Sequence, residues 1–318
     1  MDRKSRMPLK WFWPAWGWWT IYKGAVLMIR IMVDSSADFL PEEAQAMDIE
    51  ILPISASIGG STYRDSIDLG RDEFYELLEE TGEHPTTSQI PPLGFAEAFR
   101  KALDAGDEVV VLVLSSALSG TYQNALLAQA MVGHEGIYVV DTLSATYAIH
   151  IMAERACEMR DEGCSAEEIA KEVEGMKGSI RILAALDTLE YLQRGGRLPK
   201  TAAKVGEAAK LKPIITVNDD GTVGLANACL GRKRALDTIM KQLEKYEIDY
   251  RYPVYSIYSY GTKNTEKLEE RLREAGVEIT DRRQIGFVIG THVGPNGYGV
   301  VFVERKNEKS ERRSLFRK

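Results

Sequence analysis

Cysteine is scarce in this sequence, which has three cysteines among 318 residues. They are Cys157, Cys164 and Cys229, so no Cys-x-x-Cys pair occurs. Their odd number and their spacing fit neither a disulfide framework nor a zinc site. We therefore expect free thiols and a protein of the reducing cytoplasm.

Tryptophan is absent from residues 20–318, because all five tryptophans lie between positions 11 and 19. The apolar stretch around them is interrupted, and it is shorter than the roughly 20 residues of a membrane-spanning helix. Met28 begins a natural first strand, so residues 1–28 are interpreted as an extension that is disordered or not a native start. A Trp-rich anchor in the membrane interface is the open alternative. Neither interpretation predicts stable membrane insertion.

Between the two ends of the chain, positive charges are fewer than negative charges. Residues 1–28 carry five Lys/Arg against one Asp, and residues 305–318 carry seven Lys/Arg against two Glu. Subtracting these +4 and +5 from the total of −7 leaves −16 for residues 29–304. Nucleic-acid binding needs a basic surface, so the acidic body argues against a nucleic-acid partner. Residues 305–318 are interpreted as a solvated charged tail.

Three catalytic signatures are also missing. The sequence has no Gly-x-x-x-x-Gly-Lys-Ser/Thr phosphate loop, no Gly-x-Ser-x-Gly elbow and no His-Glu-x-x-His pair. A self-sufficient phosphate-loop kinase, an α/β-hydrolase and a helical zinc site are therefore unsupported. We expect no metal ion and no cofactor besides a bound ligand.

Strand and helix patterns alternate through the first half of the chain. Strands are predicted at residues 29–33, 49–58, 108–114 and 136–140, and helices at 41–47, 71–80, 93–103 and 122–131. This alternation predicts parallel strands joined by helical crossovers. The first domain is therefore an α/β domain with a parallel sheet, placed at residues 29–175.

The pattern changes near residue 176. Strands are predicted at 180–186, 213–217, 222–226, 254–259, 287–289 and 300–303, and helices at 189–194, 231–246 and 264–275, the last capped by Asn264. A hairpin signal, Asn218-Asp219-Asp220-Gly221, separates two of these strands. This mixture predicts a second, α+β domain at residues 176–304, so the fold class is two-domain α/β.

Three separate loops are rich in hydroxyl groups and glycine, at residues 85–89, 115–122 and 290–297. The second loop follows a strand and opens a helix. A helix start presents free N–H groups and positive dipole charge, and Ser and Thr add further donors. The loops therefore predict a site for an acidic small molecule.

Candidate ligand-binding residues follow from these loops and from the end of the first strand. They are Ser35, Thr87, Ser88, Ser119, Gly120 and Thr121. Helix capping is the alternative for the Ser119–Thr121 cluster, and an ordinary loop is the alternative for residues 87–88. Arg197 follows two glycines and is either an anion partner or a solvated end. His292, within the third loop, is a site residue or a surface histidine.

Six ordered motifs together resemble the DegV family, which includes the fatty-acid-binding FakB subunits of bacterial fatty acid kinase. The motifs are Val33–Asp38, Thr87–Gln89, Leu118–Tyr122, Asp187–Arg197, Lys212–Ile214 and Gly290–Pro295. The resemblance runs over residues 29–304. Two positions depart from the family pattern, since Ile90 stands where Pro is frequent and Asn296 stands where Gly is usual.

The resemblance implies two domains with a long-chain fatty acid buried between them. It implies that the carboxylate binds at the loops of Thr87 and Ser119, and that Arg197 and His292 assist phosphoryl transfer. A separate ATP-dependent fatty acid kinase subunit then forms an acyl phosphate for phospholipid synthesis. The expected protein is a cytoplasmic lipid-binding subunit that is not itself an enzyme.

Two other functions stay open at this point. One is a stand-alone acyl hydrolase, with Ser119 as nucleophile and His292 as base. The other is a lipid-sensing regulator, which uses the same pocket with a different output.

Overall fold

The computed structural model describes residues 28–198 and 211–305. The expected extension before Met28 and the charged tail after Arg305 lie outside the described residues. The strands are β1 (Ile29–Asp34), β2 (Ile49–Leu52), β3 (Ser55–Ile58), β4 (Ser61–Arg64), β5 (Thr86–Ser88), β6 (Glu108–Val113), β7 (Ile137–Asp141), β8 (Ile180–Ala185), β9 (Leu211–Val217), β10 (Val223–Leu230), β11 (Tyr255–Tyr258), β12 (Asp281–Gln284) and β13 (Tyr298–Val303). The helices are α1 (Pro41–Ala46), α2 (Arg71–Thr81), α3 (Pro92–Asp104), α4 (Thr121–Val132), α5 (Tyr147–Asp161), α6 (Ala166–Met176), α7 (Glu190–Arg194), α8 (Arg232–Leu243), α9 (Lys263–Glu274) and α10 (Phe287–Val293).

A four-stranded parallel sheet forms the first half, in the order β2-β1-β6-β7. Its central strand β6 contains a run from Val109 to Val113 with no exposed surface. Such a continuous apolar run is typical of a parallel strand covered on both faces. Helices α3 to α6 pack against this sheet. The carboxyl ends of its strands open toward the loops that follow Asp34 and Val113.

A six-stranded mixed sheet forms the second half, in the order β10-β9-β8-β13-β11-β12. Side chains of β8 alternate between its two faces: Leu183 packs with α8 and α9, whereas Ile182 and Ala184 join the core of the first half. Helix α5 contacts both large sheets, so the two halves share one apolar core. The fold is thus α/β, with a parallel sheet in the first half and a mixed sheet in the second. The boundary near residue 176 stays a prediction.

A small antiparallel sheet, β4-β3-β5, corrects two expectations. The strand predicted over residues 49–58 is two strands, because Pro53 interrupts the run and the chain changes sheet there. Proline cannot donate to the hydrogen-bond ladder, so it separates β2 from β3. The loop expected at Thr87 is instead strand β5, which pairs with β3.

The strand predicted at residues 287–289 is wrong, because these residues begin helix α10. Three apolar residues fit either structure, and α10 is buried on most of its sides, which removes the helical alternation of polar and apolar positions. Helix α10 packs against α2, β3 and β5 of the first half. The expected Asn264 cap is also wrong, since Thr262 occupies the cap position of α9.

Two features are absent from residues 28–198 and 211–305. No helix there has the length and apolar character needed to cross a membrane. No group of three His, Cys, Asp or Glu side chains there could hold a metal ion.

Candidate functional site

A cavity of about 350 Å³ lies between the two halves of the molecule. Most of its wall is apolar, and both halves contribute to it. The first half supplies Ile54, Leu114, Leu118 and Ala145, and the second half supplies Ile182, Ala184, Leu186, Ile215, Val217, Val223 and Ile257. Polar groups join this wall from β5, the loop before α4 and the end of α10, and also from Thr146 and Arg197. An apolar cavity with a few convergent polar groups is the usual form of a small-molecule site.

Thr87 and His292 meet at the polar part of the cavity. The Thr87 hydroxyl and His292 Nε2 share a hydrogen bond of 3.1 Å. Thr87 is the central residue of β5, and its register opposite Ala56 on β3 fixes which way its side chain points. His292 comes from the last turn of α10, which packs on the same small sheet. Strand β5 and helix α10 therefore bring Thr87 and His292 together.

The His292 imidazole is held in its neutral form. Burial, with a further contribution from the nearby Arg197 charge, lowers the pKa of His292 from 6.5 to about 4. Its Nδ1 atom has no hydrogen-bond partner among the described residues. Gly195 makes room for the ring, because a Cβ there would lie 2.3 Å from Nδ1. The site thus contains a neutral imidazole whose Nδ1 packs against Gly195 and whose Nε2 bonds Thr87.

The Ser119 cluster lies at the start of α4. Ser119 Oγ is 2.8 Å from Thr121 Oγ1, and it accepts a hydrogen bond of 3.2 Å from the Thr121 backbone N–H. Ser119 and Gly120 line the cavity, whereas Thr121 is fully buried behind them. Thr121 therefore orients Ser119.

Gln89 lies between β5 and the Ser119 loop, and it was not among the site residues predicted from the sequence. Gly120 lies so close that a Cβ there would be 2.0 Å from Gln89 Oε1. Both residues line the cavity. The Thr87-Ser88-Gln89 motif contained the signal, since its third member stands directly beside the predicted pair. Gly120 thus caps the start of α4 and also allows the Gln89 side chain to pack closely against the backbone.

Arg197 fastens the turn after α7 to the Ser119 loop. Its Nε donates to the Leu118 carbonyl oxygen at 3.0 Å, and its Nη1 donates to the Gly195 carbonyl oxygen. The side chain also lines the cavity. The guanidinium is therefore placed beside His292 and close to the loop that carries Ser119.

Ser35 does not belong to this cluster. It is buried, and it is not among the residues that line the cavity. Its hydroxyl accepts a hydrogen bond from the Ile54 backbone N–H at 3.0 Å and bonds the Asp65 carboxyl group. The structure therefore gives Ser35 a structural role between β1 and the start of β3, and the predicted ligand contact finds no support. Thr87, Ser88, Ser119, Gly120, Arg197 and His292 all line the cavity, and their contact with a ligand stays a prediction.

The hydrolase alternative lacks its hydrogen-bond chain. The bond of His292 Nε2 goes to Thr87, and the hydroxyl of Ser119 goes to Thr121. No carboxylate bonds His292 Nδ1 in the described part of the chain. A nucleophile–base–orienter set is therefore not assembled.

Comparisons with known proteins agree with this architecture. The family model described as "Uncharacterised protein, DegV family" matches residues 28–305. The chain belongs to the DegV family. A DegV domain-containing protein of Caldanaerobacter subterraneus subsp. tengcongensis is 36% identical over 280 residues, which cover 87% of this chain and 99% of the relative.

Solved structures of DegV proteins have the same fold. A DegV family protein from Thermus thermophilus, described as fatty acid binding, has a TM-score of 0.79 and 30% identity, with 88% of this chain and 100% of that chain covered. DegV from Bacillus subtilis, described as a fatty acid binding protein, has a TM-score of 0.77 and 29% identity, with 88% and 100% covered.

Both departures from the DegV pattern are accommodated locally. Asn296 adopts a φ of 61°, a left-handed conformation that asparagine tolerates better than most residues. Ile90 is buried, and its carbonyl oxygen accepts a hydrogen bond of 2.8 Å from Asn124 Nδ2 of α4. Proline follows one position later, and α3 begins at Pro92. The loops that contain Ile90 and Asn296 therefore accommodate these residues.

Proposed function

We propose that this chain binds a long-chain fatty acid in the cavity, with the carboxylate among Thr87, Ser119 and His292. The observation that carries the proposal is an apolar cavity whose wall includes this polar cluster. The fatty-acid-binding descriptions of the Thermus thermophilus and Bacillus subtilis proteins support it. A cytoplasmic location is part of the same proposal.

The energetics favour such a ligand. Each methylene group removed from water contributes about 0.8 kcal/mol, so an acyl chain binds through apolar walls alone. The carboxylate is different, because a buried charge is costly unless donors surround it. The Thr87 and Ser119 hydroxyls can supply donors, since a neutral imidazole that donates its Nε2–H to Thr87 leaves the Thr87 hydroxyl proton for the carboxylate.

We further propose that the bound acid is presented to a separate ATP-dependent kinase subunit. In that reaction a carboxylate oxygen attacks the γ-phosphorus of ATP on the partner. A carboxyl–phosphoryl bond forms, the bond between the β- and γ-phosphates breaks, and ADP leaves. Arg197 and His292 are proposed to meet the extra negative charge, since a guanidinium binds phosphate oxygens in pairs. The chain itself then contributes a lipid site but no ATP site.

Extraction of the purified protein tests the first step. The protein is expressed in bacteria, washed, denatured in solvent and analysed by mass spectrometry. We expect a straight-chain fatty acid at close to one equivalent per chain, and a clearly lower yield from the Thr87→Ala variant. A nucleotide or a sugar phosphate as the extracted ligand would contradict the proposal.

Reconstitution with a cognate kinase subunit tests the second step. Arg197→Ala and His292→Ala should lower the rate of acyl-phosphate formation more than they lower fatty-acid affinity, because the charge of Arg197 and the polar ring of His292 are needed most when the phosphoryl group arrives. Unchanged turnover, or losses of turnover and affinity in equal proportion, would refute the assigned roles.

A further inference from the structure

Asp38 reaches across the molecule to the start of α10. It is buried directly after the first strand, with a left-handed φ of 57°. Its Oδ1 accepts a hydrogen bond of 3.0 Å from the Gly286 backbone N–H, and Gly286 is the residue before α10. A Cβ at Gly286 would lie 2.6 Å from this oxygen, so the approach requires glycine. Asp38 thus holds the entry to the helix that carries His292.

The two residues before Gly286 are held in the same way. Arg71, at the start of α2, donates from Nη1 to the Gln284 carbonyl oxygen at 2.6 Å. The Tyr75 hydroxyl donates to the Ile285 carbonyl oxygen at 3.1 Å. Side chains of the first half therefore bind three consecutive residues of the second half, 284–286, which we call the strap.

The side chains that hold the strap also bond one another and their neighbours in the first half. Arg71 Nη2 donates to the Asp38 carbonyl oxygen at 2.7 Å, and Nη1 also bonds the Tyr147 hydroxyl at 3.0 Å. The Thr146 hydroxyl donates to Asp38 Oδ2 at 2.6 Å, and Thr146 itself lines the cavity. Thr146 has a φ of 52°, a conformation that is costly for a β-branched residue. The surrounding bonds are what maintain it.

Helix α10 connects the strap to His292. Helix α10 has seven residues, so it is only about 10 Å long and transmits any shift of its start to its end. The His292 side chain has one hydrogen bond in the described structure, from Nε2 to Thr87, and its Nδ1 has none. Its position against Thr87 therefore depends on how α10 is fixed at the strap.

We propose that Asp38 and Arg71 are positioning residues of the carboxylate site: by holding the strap, they set His292 against Thr87. This inference rests on the proposed fatty-acid site. Neither side chain lines the cavity, so their effect on the ligand passes through α10 and Thr146. The network also gives a reason for the hydrogen bonds that Asp38 and Arg71 make to the residues just before α10.

A double-mutant cycle with cis-parinaric acid, a fluorescent fatty acid, tests this inference. Asp38→Ala should weaken binding about tenfold in the natural background, but less than about twofold when His292→Ala is already present. The matched control is Asp107→Ala. Asp107 is also buried and bonded to an arginine, Arg30 at 2.7 Å, but it directly precedes β6 and so lies at the amino end of the parallel strands, away from the cavity. Its replacement should leave the affinity unchanged in both backgrounds. Equal losses in the two backgrounds would overturn the inference.

The imidazole signals of His292 give a readout that needs no ligand. The chain has four histidines, so the ring signals can be assigned by substitution. Asp38→Ala should shift the His292 signals and move its pKa from about 4 toward the ordinary 6.5, whereas Asp107→Ala should not. If cis-parinaric acid fails to bind the natural protein, the proposed function fails, while this shift still decides the positioning role. Should Asp38→Ala not fold, Arg71→Lys replaces it with the same expected results, because lysine cannot span three oxygens. An unmoved His292 in the folded variant would refute the role.

Discussion

Removal of the Thr87 hydroxyl is the sharpest perturbation of the proposed site. Thr87→Ala deletes one donor to the carboxylate, and a hydrogen bond to a charged group contributes about 1.5–3 kcal/mol. Since about 1.4 kcal/mol corresponds to a tenfold change, the Kd for a fatty acid should rise roughly 10- to 150-fold. The same substitution removes the 3.1 Å bond to His292 Nε2, which costs about 0.5–1.5 kcal/mol of unfolding free energy.

Two variants make this measurement specific. Thr87→Ser keeps the hydroxyl and should bind nearly as well as the natural protein. Thr86→Ala removes a neighbouring threonine on β5 that is exposed and pairs with Ser57, and its side chain points to the other face of the strand. Titration of cis-parinaric acid gives the affinities, and thermal unfolding shows that the variants are folded. A Kd for Thr87→Ala within about twofold of the Thr86→Ala value would place the carboxylate elsewhere.

Three further outcomes are expected. Gly195→Ala should weaken fatty-acid binding more than tenfold, because a Cβ at Gly195 would lie 2.3 Å from His292 Nδ1. Gly178→Ala is the control and should not weaken binding, because a Cβ there meets nothing within 4 Å. Similar affinities in the two variants would disprove the steric argument. Burial, together with the Asp38 charge, raises the pKa of Asp65 from 3.8 to about 7, so its contribution to stability is complete below pH 3.8 and is lost as the pH rises through 7. As the pH rises from 5 to 8, the free energy of unfolding of Asp65→Asn should therefore increase by about 1–3 kcal/mol relative to that of the natural protein, measured by urea unfolding. A difference between the two proteins that does not change with pH would contradict this. Fatty-acid binding should raise the pKa of His292 above its value of about 4, because a carboxylate favours the charged imidazole; an unchanged titration of its ring signals would show that no carboxylate lies beside it.

The parallel sheet was predictable chiefly from β6, a continuous apolar run followed by a polar loop. The run that became β6 ends at Val113, and the Ser115–Tyr122 loop then begins α4, as its composition indicated. Local composition alone was sufficient to predict this strand, since a strand buried on both faces has a continuous apolar sequence.

The helix that carries His292 could not be predicted in this way. Its first residues, Phe287 to Ile289, have no polar face, because α10 packs against both halves of the molecule. Contacts such as the one between Gly120 and Gln89, or between Asp38 and Gly286, depend on tertiary approach and leave no periodic signal. The residues of the site were recognisable as motifs, but their partners were not.

The bond between Thr87 and His292 joins residues that are 205 positions apart. During synthesis, which adds about 5–20 residues per second, the parallel sheet and the Ser119 loop are complete long before α10 emerges. A nascent chain that has reached residue 286 already has Thr87 but still lacks His292. The two sides of the proposed anion site therefore come together only once α10 has been synthesised, so a chain truncated before α10 can fold part of the apolar wall without being able to hold the proposed acid.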